Sequence, residues 1–429
     1  MQQNTKQNNT VPLIIIGVLF FLFGFVTWAN SSLMPYLKIS CQLTTAQATW
    51  VTLAFYISYA VTAFPCSWVL GKTGLKKGMM YGLLIMAVGA LVFVPAAKTR
   101  NFSLFLGGLF VIGTGLSLLQ TASNPYVTIL GPIESAAKRI SFMGICNKVA
   151  GAVAPLILGA IILSNVDGLT ASLAGMSAAA KEVELNALAS KVITPYIIMA
   201  VALVVLAVGV YFSALPEMKP ADEEALNEKT THRSSIFKYP YLWLGFVALF
   251  LYVGVEVMAG DLIQLYGNVL GIKVSEAKHF TTYTMISMLV GYIIGIATMP
   301  KIITQAKALA VSAVIGLVFT LAVIFAPGYS SVLFLALLGL ANALMWPAIW
   351  PLAIEGLGRF TNVGAALLIV GIAGGGIIPK LWGAIGGYLH TSMGYTEARA
   401  SQMAFWIMVP CYLFIFYFAV KGSKAGKTV

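Results

Sequence analysis

Long apolar runs separated by short polar breaks fill the chain from residue 12 to residue 420. A helix that crosses a bilayer needs about 20 mostly apolar residues. Twelve runs meet that length, at 12–37, 48–70, 77–97, 102–128, 140–163, 194–214, 242–266, 281–300, 307–326, 331–353, 362–388 and 402–420. The pattern predicts an all-α integral membrane protein with 12 transmembrane helices. Residues 215–240 form the most polar stretch and read as a linker between an N-terminal half, 1–214, and a C-terminal half, 241–429. Residues 164–193, rich in Ala and Ser, predict a longer loop on the outer face with room for a short helix.

The two halves share spacing. The fifth run places Gly151, Pro155 and Gly159 four apart and follows with Ala-Ile; the eleventh does the same with Gly375, Pro379 and Gly383. Gln120 stands five residues before Pro125 in the fourth run, and Asn342 five before Pro347 in the tenth. Gly24 in the first run has a counterpart in Gly254 of the seventh. Chance matches among Gly and Pro are common in apolar sequence, but three in the same order predict two six-helix pseudo-repeats. Parallel repeats of this kind put a solute site between the halves near the membrane midplane.

Composition narrows the class further. Of 429 residues, 59% are hydrophobic and 9% charged, against about 25% charged in a soluble domain. The net charge of +12 would suggest nucleic acid in a soluble protein; here it follows from Lys and Arg held in loops on one side of a bilayer. With both termini in the cytoplasm, loop Lys and Arg favour the inside about two to one, through Lys72, Lys76, Lys77, Lys219, Arg233, Lys238 and their neighbours. Cys41, Cys66, Cys146 and Cys411 form no CxxC pair and have no His at metal spacing, so neither a metal site nor a disulfide framework is expected. No nucleophile, base and orienting group come together, which argues against an enzyme. The glycines from Gly371 to Gly376 lack the Lys-Ser/Thr of a phosphate loop and predict close helix packing.

Charge at a helix centre costs roughly 2.5–3.5 kcal/mol on insertion scales, so charged residues there face a cavity or a partner. Lys148, Glu256, Asp261 and Lys380 qualify. Glu256 and Asp261 share the seventh run, about 140° apart on a continuous helix, with Gln264 between them in angle. A buried carboxylate can carry a proton, and two carboxylates with amide oxygens can hold sodium. The competing reading makes each acid a structural partner of Lys148 or Lys380, with Lys380 also placed to snorkel toward the surface. The uncharged polar set suits a sugar, whose hydroxyls take amides and an aromatic face: Trp28, Asn30, Gln120, Asn124, Asn147, Gln264, Asn342 and Trp346. Asn342, Trp346 and Trp350 fall four apart and predict one helical stripe. For the amides the alternative is interhelical glue; Trp50, Trp243 and Trp406, at segment ends, suit an interfacial belt.

The run from Gln120 through Asn124, Pro125 and Gly131 resembles the helix-four motif of the fucose:proton symporter family, within the major facilitator superfamily. So does the first run, from Phe20 through Gly24 and Asn30 to Pro35. The resemblance covers most of the chain and implies the major facilitator fold, sugar transport and a monomer. It also marks departures: the family's fucose symporter carries Glu where this chain has Gln120, and Asp where it has Ser31. Gln at the helix-four position resembles the glucose/galactose branch, while Trp28-Ala-Asn30 with Glu256 and Asp261 resembles the N-acetylglucosamine branch. With Gly24 set on Gly254, Ser31 falls on Asp261, so the acid missing from the first helix reappears at the pseudo-symmetric place in the seventh.

The expectation is a hexose or amino-hexose importer of the bacterial inner membrane. It has no cofactor beyond co-transported proton or sodium, and Glu256 and Asp261 couple the cation. Its partners are a small-molecule sugar and the lipid bilayer, with no nucleic acid. A passive facilitator, an L-fucose symporter, an exporter of amphipathic compounds and a non-transporting sugar sensor are the rivals.

Overall fold

The computed structural model describes residues 10–129, 136–173, 175–217, 235–299 and 302–426. Twelve helices among them are long and apolar enough to cross a membrane. They are α1 (Val11–Ser40), α2 (Thr45–Thr73), α3 (Leu75–Thr99), α4 (Phe102–Asn124), α5 (Phe142–Ile162), α6 (Ala178–Phe212), α7 (Pro240–Gly260), α8 (Val274–Thr298), α9 (Gln305–Phe325), α10 (Gly328–Ile354), α11 (Val363–Thr391) and α12 (Glu397–Val420). Each overlaps one of the twelve apolar runs. Most of the expected linker, residues 218–234, lies outside the described residues.

Burial sorts the helices. In α7 and α11, 67% of the apolar window is buried within the protein, against 33% in α6. The outer faces of α6 and α8 expose Val204, Val205, Val208, Ile293 and Ile294; continuous apolar surface of this kind belongs against lipid. α3 packs on α4 and α6, and α9 on α10 and α12, while α5 runs along α8 and α2 along α11 at the seam between the halves.

The loop at 164–193 departs from expectation. Residues 164–193 contain two helices, Val166–Leu173 and Ala178–Ser190, and the second bends at Lys191 into Ile193–Phe212. The Ala-rich sequence has high helix propensity, Ser177 caps its start at Ala180 N, and Leu185, Leu188 and Ala189 are buried. The Tyr36 hydroxyl donates to the Leu188 and Ala189 carbonyls at 3.1 and 2.7 Å.

Three inner helices break where the repeat places polar residues. The first span divides at Ala29, into Thr10–Trp28 and Asn30–Ser40. α7 stops at Gly260, and Leu262–Val269 continues it beyond Asp261. α10 divides between Asn342 and Met345. Broken helices are stable at membrane depth when neighbours take the freed backbone groups. Here Thr284 and Thr281 of α8 donate to the Ala259 and Gly260 carbonyls at 2.7 Å each, and Ser31 donates to the Trp28 carbonyl at 2.8 Å. A Cβ at Gly260 would enter the Trp28 ring, so glycine there lets α1 and α7 meet.

The glycine-rich stretch packs as expected. Gly371–Ala373 is a short 3-10 turn inside α11. Gly374 lies against the backbone of Phe250, and Gly376 against that of Thr52 and Leu53 in the opposite half. The repeat is visible in contacts too: Gly151 of α5 meets Trp28 of α1 and Met285 of α8, and Gly375 of α11 meets Val257 of α7 and Tyr56 of α2.

Candidate functional site

The halves join at the end away from the chain termini. There Asp167 accepts from the Val274 and Ser275 amides at 2.8 and 3.1 Å. Lys380 donates to the Ala46 carbonyl at 2.9 Å. Glu397 accepts from Thr45 and stands 3.6 Å from Lys38. Deeper in, Gln264 is fully buried, donating to Ser31 and Thr281 at 3.0 and 3.1 Å and facing Ser32 at 3.4 Å.

Below this seal lies a central cavity of about 770 Å³, counted to its open mouth. Lys148 and Glu256 cross it from opposite halves, Nζ to Oε1 at 2.7 Å, 6% and 8% exposed. The Lys148 ammonium also sits 4.4 Å over the Trp28 ring, and the Trp28 indole N–H donates to Asn147 Oδ1 at 3.4 Å. Gln120 Nε2 donates to the Tyr59 hydroxyl at 3.1 Å. Asn124 and Trp346 complete the predicted residues that line it.

The other predicted residues stand elsewhere. Gln264 belongs to the seal. Asn30 is buried, with Nδ2 unbonded among the described residues. Asn342 accepts from the Tyr412 hydroxyl at 2.9 Å; the break after it takes it off the stripe, while Trp346 stacks on Trp350 with centroids 5.4 Å apart. Lys380 pairs with neither Glu256 nor Asp261, contrary to one reading of the sequence: it caps Ala46 and rests 4.3 Å over Trp50, the snorkelling geometry its off-centre position favours. Asp261 is fully buried in the break beyond α7, where its Oδ2 accepts from the Tyr56 hydroxyl at 3.3 Å and its Oδ1 meets no donor among the described residues.

Four tyrosines that sequence reasoning passed over also line the cavity: Tyr56, Tyr59, Tyr252 and Tyr292. A signal was present. A buried tyrosine hydroxyl needs a partner, and Tyr56 with Tyr59 puts two such groups about one turn apart in an apolar run. The cavity thus offers amides, hydroxyls, indole faces and one ion pair, a set suited to a polyhydroxylated ligand with apolar faces.

Known proteins share this fold. Residues 16–379 match the Major Facilitator Superfamily model. The chain is 33% identical over 427 residues to a glucose/galactose transporter of Brucella abortus, covering 99% of this chain and 97% of that one. It is 28% identical to the L-fucose-proton symporter of Escherichia coli, covering 97% and 94%. A crystal structure of the E. coli fucose:proton symporter superposes with a TM-score of 0.71 at 27% identity, covering 96% of this chain and 98% of that one.

Proposed function

Because the chain belongs to the Major Facilitator Superfamily, we propose that it imports a hexose or amino-hexose by proton or sodium symport, its two halves rocking about the central cavity. The observation that carries the reading is the cavity wall. Gln120, Asn124 and Asn147 present amides, Trp28 and Trp346 present faces, and Lys148 and Glu256 reach in from opposite halves. Hydroxyls donate to carboxylate and accept from ammonium, so a sugar can take up bonds from both members of the pair. Glucose or galactose is favoured by the names of the relatives, and the L-fucose symporter gives proton coupling as the first candidate.

Both termini are assigned to the cytoplasm of a bacterial inner membrane, on the Lys and Arg bias. The cavity then opens inward, and the Asp167, Lys380 and Glu397 contacts seal the outside. Two carboxylates, Glu256 and Asp261, are available for coupling. Cation and sugar need only favour the same states for one gradient to drive the other.

A passive facilitator is the second reading. It is favoured by the pairing of Glu256 with Lys148, which leaves that carboxylate neutralised. Proteoliposomes separate the two. Labelled glucose, galactose, N-acetylglucosamine and fucose are offered under imposed proton or sodium gradients. Accumulation that collapses when one gradient is removed identifies sugar and ion. Equilibration blind to both gradients makes the protein a facilitator.

A further inference from the structure

We infer that Asp261, rather than Glu256, carries a proton through the transport cycle, and that the Tyr56 hydroxyl links it to the cavity. The inference rests on the symport reading above and names the ion and its carrier.

The two carboxylates have opposite surroundings. Glu256 faces the cavity and has a full counter-charge 2.7 Å away in Lys148. Asp261 has none. It is 0% exposed, and among the described residues its carboxylate's one hydrogen bond is from Tyr56, with Oδ1 unsatisfied. The titratable groups facing it are Tyr56 of α2, Lys148 of α5 and Glu256 of its own helix. The lysine charge is already spent on Glu256, so a bare carboxylate at Asp261 would stand uncompensated in an apolar interior, where such groups take up a proton instead. A carboxyl O–H gives Tyr56 a hydrogen bond and leaves Oδ1 as a neutral carbonyl oxygen.

The position suits a carrier. Asp261 fills the break in the seventh span, behind the seal and across the seam from Tyr56. Tyr56 lines the cavity and touches Asp261. When the outer end parts, the Tyr56–Asp261 bond breaks and outside water reaches the carboxylate, which takes one proton from hydronium and leaves water. When the outer end seals, Tyr56 is in place again. The proton then leaves when water enters the break from the cavity and solvates the carboxylate, by a concerted exchange: the carboxyl gives its proton to the tyrosine oxygen as the hydroxyl proton passes to cavity water. One proton enters, one leaves, and Tyr56 ends as it began. Glu256 and Lys148 remain with the sugar.

Two measurements test this. Infrared spectroscopy of the purified protein at neutral pH reads carboxyl protonation without any substrate. The expected result is a buried carboxylic-acid C=O band that Asp261→Asn removes and Glu256→Gln keeps. No such band in the wild type, or its loss in Glu256→Gln instead, overturns the inference, whatever the sugar proves to be. In proteoliposomes with galactose as probe, proton-driven accumulation is divided by sugar counterflow, which requires no net proton movement. That ratio is expected to fall at least about ten-fold in Asp261→Asn and in Tyr56→Phe, and to stay level in Glu256→Gln as both activities drop together. Asp261→Asn that still concentrates galactose on a proton gradient, or wild-type accumulation driven by sodium alone, overturns it. Wild-type protein that moves none of the four sugars defeats the sugar reading, and the infrared result still decides the proton.

Discussion

At the scale of single residues, the Lys148–Glu256 pair decides most. Both charges are buried, so neither can lose its partner cheaply. Removing one member of a buried pair costs about 3–5 kcal/mol, whereas replacing both with apolar groups of similar volume is often neutral. Lys148→Met or Glu256→Met alone is therefore expected to lower the thermal midpoint of the purified protein clearly, and the double variant to recover much of it while binding no sugar. Equal midpoints in all three would mean that the pair is wet and weak. Around it, Trp28 serves twice, as the face under the Lys148 ammonium and as the donor to Asn147. Gln120 is tied to Tyr59, a hydroxyl partner that fixes the amide's direction. Gln120→Ala is expected to raise the KM for the transported sugar about ten-fold, through loss of roughly 1.4 kcal/mol of hydrogen bonding. Unchanged KM would remove Gln120 from the binding set.

At the scale of elements, the informative features are breaks. The first and seventh spans both divide in mid-course, at Ala29 and Asp261. Asp261 keeps helical dihedrals and bonds its N–H to the Val257 carbonyl at 2.8 Å, so it still stands about 140° round from Glu256, and the interruption falls between it and Leu262–Val269. Threonines of α8 hold the freed carbonyls, and Gly260 admits Trp28. Gly260→Leu is expected to drive α1 from α7 and keep the outer end from closing. Cysteine introduced at Thr45 should then label readily with a membrane-impermeant reagent, where the parent protein labels slowly. Equal labelling would show that the helices slide past the added side chain. The Tyr252 and Trp346 rings, 6.4 Å apart, bring α7 and α10 together on the cavity wall, while Asn342, before the break in α10, accepts from Tyr412.

At the scale of the whole molecule, the seal at the end away from the chain termini, the outer end on the proposed orientation, sets which way the cavity faces. Its contacts are unequal. Lys38 and Glu397 are partly exposed, at 24% and 48%, and such pairs contribute about 0–1 kcal/mol. Asp167, bound to two backbone amides across the seam, is the firmer tie. Burial pushes its carboxyl up, but the Ser275 hydroxyl, the Ser275 and Val274 amides and Lys273 together hold it below the ordinary carboxylate range. A depressed value in the sealed state means that this tie is fully present above the ordinary pKa of about 3.9 and is lost only as pH falls through the lowered one. Between pH 5 and 8 Asp167 is therefore silent, and pH dependence of transport in that window has to come from another group. Asp167→Ala is expected to shift the population toward an open outer end. Spin labels at the exposed Val183 and Met393 should report it as a longer distance component, and an unchanged distribution would assign the seal to the deeper Gln264 cluster.

The sequence by itself determined the membrane class, the twelve spans and the paired halves. Those follow from the length and spacing of apolar runs, which a bilayer reads one helix at a time. It also singled out Gln120, Asn124, Asn147, Lys148 and Glu256, because a polar group in such a run has to face something other than lipid. Which of the polar residues share a cavity was decided by tertiary structure alone. Gln264, Asn30 and Asn342 carry the same chemistry as Gln120, yet one ties the seal and the others are packed away, since helix packing decides which face of each helix meets the cavity. Lys148 and Lys380 are both intramembrane lysines in the sequence, and only tertiary packing brings one from α5 to the Glu256 carboxylate of α7 and the other from α11 to the Ala46 carbonyl of α2. The spacing of Tyr56 and Tyr59 marks two hydroxyls in need of partners, but that Tyr56 reaches Asp261 across the seam is decided by tertiary structure.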